Sequence, residues 1–226
     1  MRVLPSGDCG VLVEVEDLSE VLALAARLRA RPPTGVIDLV PAARTVLLVL
    51  DPTVTTPAAT ATWLRALPDD VPGDVPAGDL SGTGHGPTQP EVVVVPVVYD
   101  GEDLDDVGRL TGWGADGVVA RHTGTTWTVA FSGFAPGFGY CVADDGPAWQ
   151  VPRRSAPRTR VPAGAVALAD AWTGVYPTAS PGGWQLLGRT TAAVWDLDRD
   201  PPALLRPGVR VRFVDVGRGT PPGSRP

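Results

Sequence analysis

The sequence predicts an α+β N-terminal domain of ferredoxin-like character, followed by a mainly-β barrel domain. Three observations predict it. Before residue 68, strand-like apolar runs alternate with two short amphipathic helices. Residues 69–90 are rich in Pro, Gly and Asp and lack apolar periodicity, as a linker does. Beyond Thr125 come short strands, wide loops and glycines about every ten residues, the spacing of an antiparallel barrel. The expected domains are 1–68 and 91–216, with a linker at 69–90 and a tail at 217–226.

The first two strands are RVLP and VLVEVE, around Gly7-Asp8. Val11, Val13 and Val15 share one face, the period-two mark of a half-buried strand. Asp17 or Ser19 can cap a helix running to about Arg31, with Val21, Leu24, Ala25 and Leu28 at helical spacing. Pro32-Pro33 stops it. Strands at Gly35–Pro41 and Thr45–Leu50 follow, and Pro57 opens a second helix to about Leu67. The order, β-(β)-α-β-β-α, is close to a split βαβ unit.

After the linker, in which His85 is read as a solvated side chain, EVVVVPVVY (91–99) is an apolar strand. Its proline places it first or peripheral in its sheet. A helix is expected over Asp100–Thr111 with Leu104, Val107 and Leu110 inward, and a short one over Trp113–Arg121. Thr125–Phe131 is read as a strand, with Thr191–Leu197 and Val209–Val214 as closing strands. The stretch Val151–Arg189 reads as linked turns and short strands that display side chains.

Composition narrows the function. With 226 residues, 43% hydrophobic and 19% charged, the chain can bury a working core. No apolar run reaches the roughly 18 residues of a membrane span, and MRVLPSGDCG lacks a signal-peptide core. A cytoplasmic location without membrane association is expected. All 19 basic residues are arginine, which removes Schiff-base and Walker-A lysines. Residues 1–120 carry a net charge of −11 and residues 121–226 carry +5. A basic half on an acidic protein suits an anionic ligand or acidic partner, not nucleic acid. Cys9, Cys141, His85 and His122 have no zinc spacing, so no metal site is expected, and both thiols are read as small buried groups.

GxxxxGK[ST], GxGxxG after a strand, HExxH and GxSxG are all missing. Three groups remain. His122 ends a helix and can act as acid or base, or serve as a structural cap. FSGFAPGFGY (131–140) alternates glycine with rings, which suits a ligand wall or core packing alike. Arg153, Arg154, Arg158 and Arg160 fall within eight residues, where guanidinium forks can bind carboxylate or phosphate; surface ion pairs are the alternative. Pro157 and Pro162 flank Arg158 and Arg160, which ranks those two first.

Taken together, three runs resemble one family: RHTGTTWTVAFSGFAPGFGYC, PRRSAPRTRVPAGAVALADAWTGVYPTASPGGWQLLGRT and PPALLRPGVRVRF. This is the carboxyltransferase-domain family (subdomain C and D-like) that includes the 5-oxoprolinase B subunit, also called allophanate hydrolase subunit 1 or KipI. GDCGVLVEV and VPAARTVLLVLDP look like its first domain. The resemblance implies an α+β domain followed by a cyclophilin-like barrel. It implies a component that is inactive alone and works with the A and C subunits to cleave 5-oxoproline to glutamate at the expense of ATP. The C partner would carry a related barrel. The ATP site would be atypical or shared with a partner. Rival activities in the family are inhibition of a sensor histidine kinase and allophanate hydrolysis.

Positions matching the motif include His122, Phe134, Gly137, Arg153, Arg158, Arg160, Tyr176, Ser180, Gly183, Trp184 and Gln185. Read with the chemistry, His122, Arg158 and Arg160 are the expected catalytic residues. Arg153, Phe134, Gly137, Tyr176, Ser180, Gly183, Trp184 and Gln185 are the expected substrate and anion contacts. The chain departs from the pattern at Gly139 and at Asp170-Ala171, where relatives often carry Tyr or Leu and Asn-Gln.

Overall fold

Apolar alternation builds the first sheet of this computed structural model, which describes residues 1–67, 92–144 and 149–217. The expected linker and the histidine within it, and all of the expected tail but Gly217, lie outside the described residues. The chain divides into two units, Met1–Gly84 and His85–Pro226.

In the first unit, β1 (Arg2–Pro5), β2 (Gly10–Glu14), β3 (Val36–Pro41) and β4 (Thr45–Leu50) form a sheet in the order β1-β2-β4-β3, every pair antiparallel. Val11, Val13, Val46, Leu48 and Leu50 point to one face and are buried with Val21, Leu24, Ala25 and Leu28 of α1 (Leu18–Ala30). Asp17 caps α1 by accepting from the Glu20 N–H at 3.0 Å. Thr56 caps α2 (Pro57–Arg65) in the same way, and Pro57 stands in the first turn.

In the second unit, seven strands form one mixed sheet in the order β12-β9-β10-β7-β6-β13-β5. They are β5 (Val92–Val97), β6 (Trp127–Ser132), β7 (Gly139–Ala143), β9 (Ala165–Ala169), β10 (Trp172–Val175), β12 (Gln185–Arg189) and β13 (Arg210–Asp215). The two ends meet. Val98, just past β5, exchanges two 2.9 Å backbone hydrogen bonds with Arg189, and Gly101 and Asp103 donate to Leu187 and Leu186. The sheet is therefore nearly closed and barrel-like. β13 and β5 run parallel, which corrects the expectation of a wholly antiparallel barrel.

Other corrections share a physical cause. The helix expected from Asp100 starts later, as α3 (Leu104–Thr111), because residues 101–103 are engaged in closing the barrel. Leu110 is 54% exposed, since Gly108 takes its place on the buried face. An added Cβ on Gly108 would stand 2.6 Å from the Gly114 carbonyl carbon of α4 (Gly114–Gly124), so this close helix crossing needs glycine. Thr191–Leu197 is not a strand: Trp195 bridges back to Ala203, and β12 takes the expected closing position. Cys9 is exposed, whereas Cys141 is buried and burial pushes its thiol up to about 12.

β9 decides where space is left. Its Val166 and Leu168 join the barrel core, while Ala165, Ala167 and Ala169 face the other side. Three methyl groups in a row leave room above the sheet, and aromatic rings fill part of it. The two-stranded ribbon of β8 (Arg158–Val161) and β11 (Ser180–Gly182) belongs to the same region. The stretch read as a display segment thus contains the wholly buried strand β9.

Candidate functional site

At the Ala169 end of β9 lies a pocket of about 200 Å³, lined by Phe134, Phe138, Tyr140, Arg153, Ala169, Asp170, Trp172, Tyr176, Pro181, Gly182 and Trp184. The rings meet edge to face. Phe138 has ring centroids 5.0 Å from Tyr140, 5.5 Å from Tyr176 and 5.3 Å from Trp184. Such contacts hold the walls rigid in the geometry aromatic quadrupoles favour. Glycines permit this closeness. A Cβ on Gly174 would stand 3.0 Å from the Phe138 ring, and one on Gly182 would collide with the Tyr176 hydroxyl.

Only two non-glycine residues described have positive φ: Phe134 at 66° and Asp170 at 51°. Both line this pocket. Left-handed backbone is costly for a bulky residue, and it concentrates where geometry serves a site. Phe134 is 59% exposed and makes ring contacts with Phe138 and Tyr176, so it stands at the rim.

Arg153 supplies the positive charge. Its segment is pinned at three points. Val151 exchanges two backbone hydrogen bonds with Asp170, the Gln185 amide donates to the Pro152 carbonyl at 2.9 Å, and the Arg154 N–H donates to the Gly183 carbonyl at 2.8 Å. No hydrogen bond or ion pair holds the Arg153 guanidinium among the described residues. Burial raises the Tyr140 and Tyr176 phenols above their ordinary range, and the Arg153 charge works against that rise at both. Both phenols remain neutral donors near neutral pH. The pocket thus combines one available guanidinium, flat apolar walls and two hydroxyls, which suits a small planar molecule bearing a carboxylate.

The other expected residues fall elsewhere. Arg158 does not line the pocket: it donates to Asp103 at 2.9 Å and Glu102 at 3.0 Å. Arg154 also pairs with Asp103, which accepts a third bond from the Leu186 N–H at 2.7 Å. These arginines fasten the β8 segment to the start of α3. Arg160 is exposed on β8, outside the pocket. Gln185 positions the Arg153 segment, and Gly183 belongs to the same fastening. Gly137, with φ 83°, turns the chain where a Cβ would stand 2.7 Å from that of Trp195. Ser180 places in β11 a buried hydroxyl that has no hydrogen-bond partner among the described residues.

His122, expected as a catalytic residue, lies in the barrel core and not in the pocket lining. Its side chain is wholly buried, 4.4 Å from the Phe213 ring and 5.1 Å from Trp127 between centroids. Nδ1 lies 2.6 Å from the Tyr99 hydroxyl and Nε2 lies 2.8 Å from Thr173 Oγ1. Thr173 donates onward to the Ala167 carbonyl. Nε2–H therefore donates to Thr173 and Nδ1 accepts from Tyr99. Burial lowers the imidazole to about 3. A neutral, fully bonded ring inside the barrel holds β10 to α4, and it does not line the pocket.

The sequence reading missed Phe138, Tyr140, Trp172 and Asp170 as individual wall residues, although the ring-and-glycine run at 131–140 signalled the first two. It also missed Asp103, for which a lone aspartate at a helix start gave no signal.

Residues 1–205 match the family described as carboxyltransferase domain, subdomain C and D, and the chain belongs to that family. The chain is 45% identical over 130 residues to the 5-oxoprolinase B subunit of Escherichia coli O157:H7, covering 56% of this chain and 59% of that protein. It is 41% identical over 128 residues to the protein of the same name from Bacillus subtilis strain 168, covering 55% and 53%. The match thus spans little more than half the length of these relatives. Among solved structures, TTHA0988 superposes with a TM-score of 0.69 at 38% identity, over 97% of this chain and 42% of that one. The K. lactis urea amidolyase superposes at 0.69 with 18% identity, over 96% of this chain and 16% of that one, a likeness of fold alone.

Proposed function

We propose that this chain is the B-type component of an assembly that opens 5-oxoproline to glutamate with ATP, and that its pocket holds the substrate. The observation that carries the reading is the ring-walled pocket with the unpaired Arg153, in a chain whose 40–45% identical relatives are named as the B subunit of 5-oxoprolinase. Arg153 binds the carboxylate. Phe134, Tyr176 and Trp184 enclose the five-membered ring, and the phenols of Tyr140 and Tyr176 face the lactam as donors. Excluding water strengthens each of these contacts. The kinase-inhibitor and allophanate readings have no comparable support and are set aside.

ATP does not fit these residues. The pocket of about 200 Å³ is smaller than the roughly 300 Å³ at which drug-sized ligands begin to be enclosed, and a nucleoside triphosphate is larger still. We assign the nucleotide to one of the partners, the A or C subunits, so this chain presents the lactam and does not cleave it alone. The carboxyltransferase-type second unit is taken as the cyclophilin-like barrel, domain 91–216. Domain 1–68 is taken as a ferredoxin-like sheet whose edge strand β1 has moved from the end of the unit to its start. β2 and β3 flanking the antiparallel β4 support this. No described helix is long and apolar enough to cross a membrane, and a cytoplasmic location is part of the proposal.

The test is 5-oxoproline-dependent ATP hydrolysis by the three reconstituted subunits. Activity should vanish when this chain is omitted and be missing from the chain alone. Undiminished turnover without it would sink the reading.

A further inference from the structure

We infer that Asp170 reads the ligand's N–H group, so that with Arg153 it recognises a small carboxylate bearing an N–H on the carbon next to the carboxyl. The inference rests on the function proposed above and adds the residue that sets specificity.

Asp170 and Arg153 line the same small pocket. Opposite charges sharing such a space attract, yet no ion pair joins them, and neither side chain has a partner among the described residues. The backbone holds them in this relation. Asp170 and Val151 exchange hydrogen bonds of 3.1 and 2.5 Å, and Arg153 follows two residues later. Since both residues line the pocket and neither is paired among the described residues, a ligand held there can meet both.

The turn adds a second argument. At φ 51°, residue 170 occupies a conformation that glycine, asparagine and aspartate tolerate best. Glycine would make this turn without a carboxylate, whereas aspartate makes it and delivers an acceptor to the pocket. Charge balance then selects the ligand class. A phosphate, or a dicarboxylate with no N–H donor beside its carboxylate, would satisfy Arg153 but face repulsion from Asp170. A carboxylate with a neighbouring N–H donor satisfies both, whether the N–H is a lactam or an ammonium.

The pocket tryptophans, Trp172 and Trp184, provide the readout through fluorescence titration of the full chain. The probes are 5-oxoproline, its lactone counterpart with ring oxygen in place of N–H, and glutamate. The wild type should bind lactam at least about tenfold tighter than lactone, because the oxygen analogue leaves Asp170 unpaired. Asp170→Gly should bring that ratio close to one while keeping the turn. Asp170→Asn, which keeps a carbonyl acceptor without the charge, should retain the lactam preference and lose affinity for glutamate. Equal wild-type affinity for lactam and lactone, or an unchanged ratio in Asp170→Gly, overturns the inference and leaves the functional proposal standing. No binding of either ring overturns that proposal and this inference with it.

Discussion

Asp103 Oδ1 and the Arg158 guanidinium meet 2.9 Å apart, with side chains only 2% and 15% exposed. Arg154 and the Leu186 N–H converge on the same carboxylate. One side chain therefore joins the start of α3, the arginine-bearing segment and β12. Burial works to raise its pKa, but the bonds and charges of its partners prevail and hold it below the usual carboxylate range.

Replacing this carboxylate should be costly. Asp103→Ala leaves two guanidinium groups without their anion and should lower unfolding free energy by about 3 kcal/mol or more, measured by urea titration. The carboxyl is depressed on folding, so its contribution is present above the unfolded value of about 3.9 and is lost as pH falls through the folded one. Asp103→Asn should therefore flatten the acid end of the stability profile. A wild-type profile in that variant would refute the account.

His122 acts on stability with a different pH window. Its folded value of about 3 lies below the ordinary 6.5, so the unfolded chain binds the extra proton between them. Stability should fall as pH drops from 6.5 toward 3, and His122→Gln should remove part of that slope. His122→Ala should cost about 3 kcal/mol through the lost packing and bonds. If instead turnover by the assembly collapsed with stability unchanged, the ring would have a chemical role after all.

The arginines should separate cleanly. Arg153→Met should abolish 5-oxoproline binding with a melting temperature within a few degrees of wild type, since the guanidinium has no hydrogen-bond or ion-pair partner among the described residues to lose. Arg158→Met should melt markedly earlier. Arg160→Ala should do neither. Thermal melts and ligand titration on the same three proteins decide it; retained binding in Arg153→Met would be the contrary result.

Phe134 tests whether backbone strain serves the pocket. Phe134→Gly relieves a positive φ worth about 1 kcal/mol or more while deleting an exposed rim ring, so stability should hold or rise as ligand affinity falls. A variant that binds as wild type would remove Phe134 from the site.

Much of the fold was legible because local physics wrote it. Alternation marked β1 to β4, capping residues and prolines bounded α1 and α2, and Pro96 marked an end strand. The family runs marked the site region, and Arg153, Phe134, Tyr176 and Trp184 do share one pocket. The ranking within the arginine cluster did not anticipate which arginine lines the pocket, because flanking prolines say how stiff a residue is, not what stands opposite. Arg158 faces Asp103, 55 residues away in sequence, whereas the segment carrying Arg153 is held by Asp170, Gln185 and Gly183.

By itself the sequence determined the strand and helix pattern, the lack of a nucleotide-binding motif and the presence of an arginine-rich, ring-rich segment. These follow from short-range periodicity and residue chemistry. Tertiary structure decided which arginine of the cluster lines the pocket, that His122 is a buried strut, and that Ala169 at the end of β9 stands in the pocket wall. Each of these depends on which atoms of distant segments meet, and burial and pairing exist only once they do.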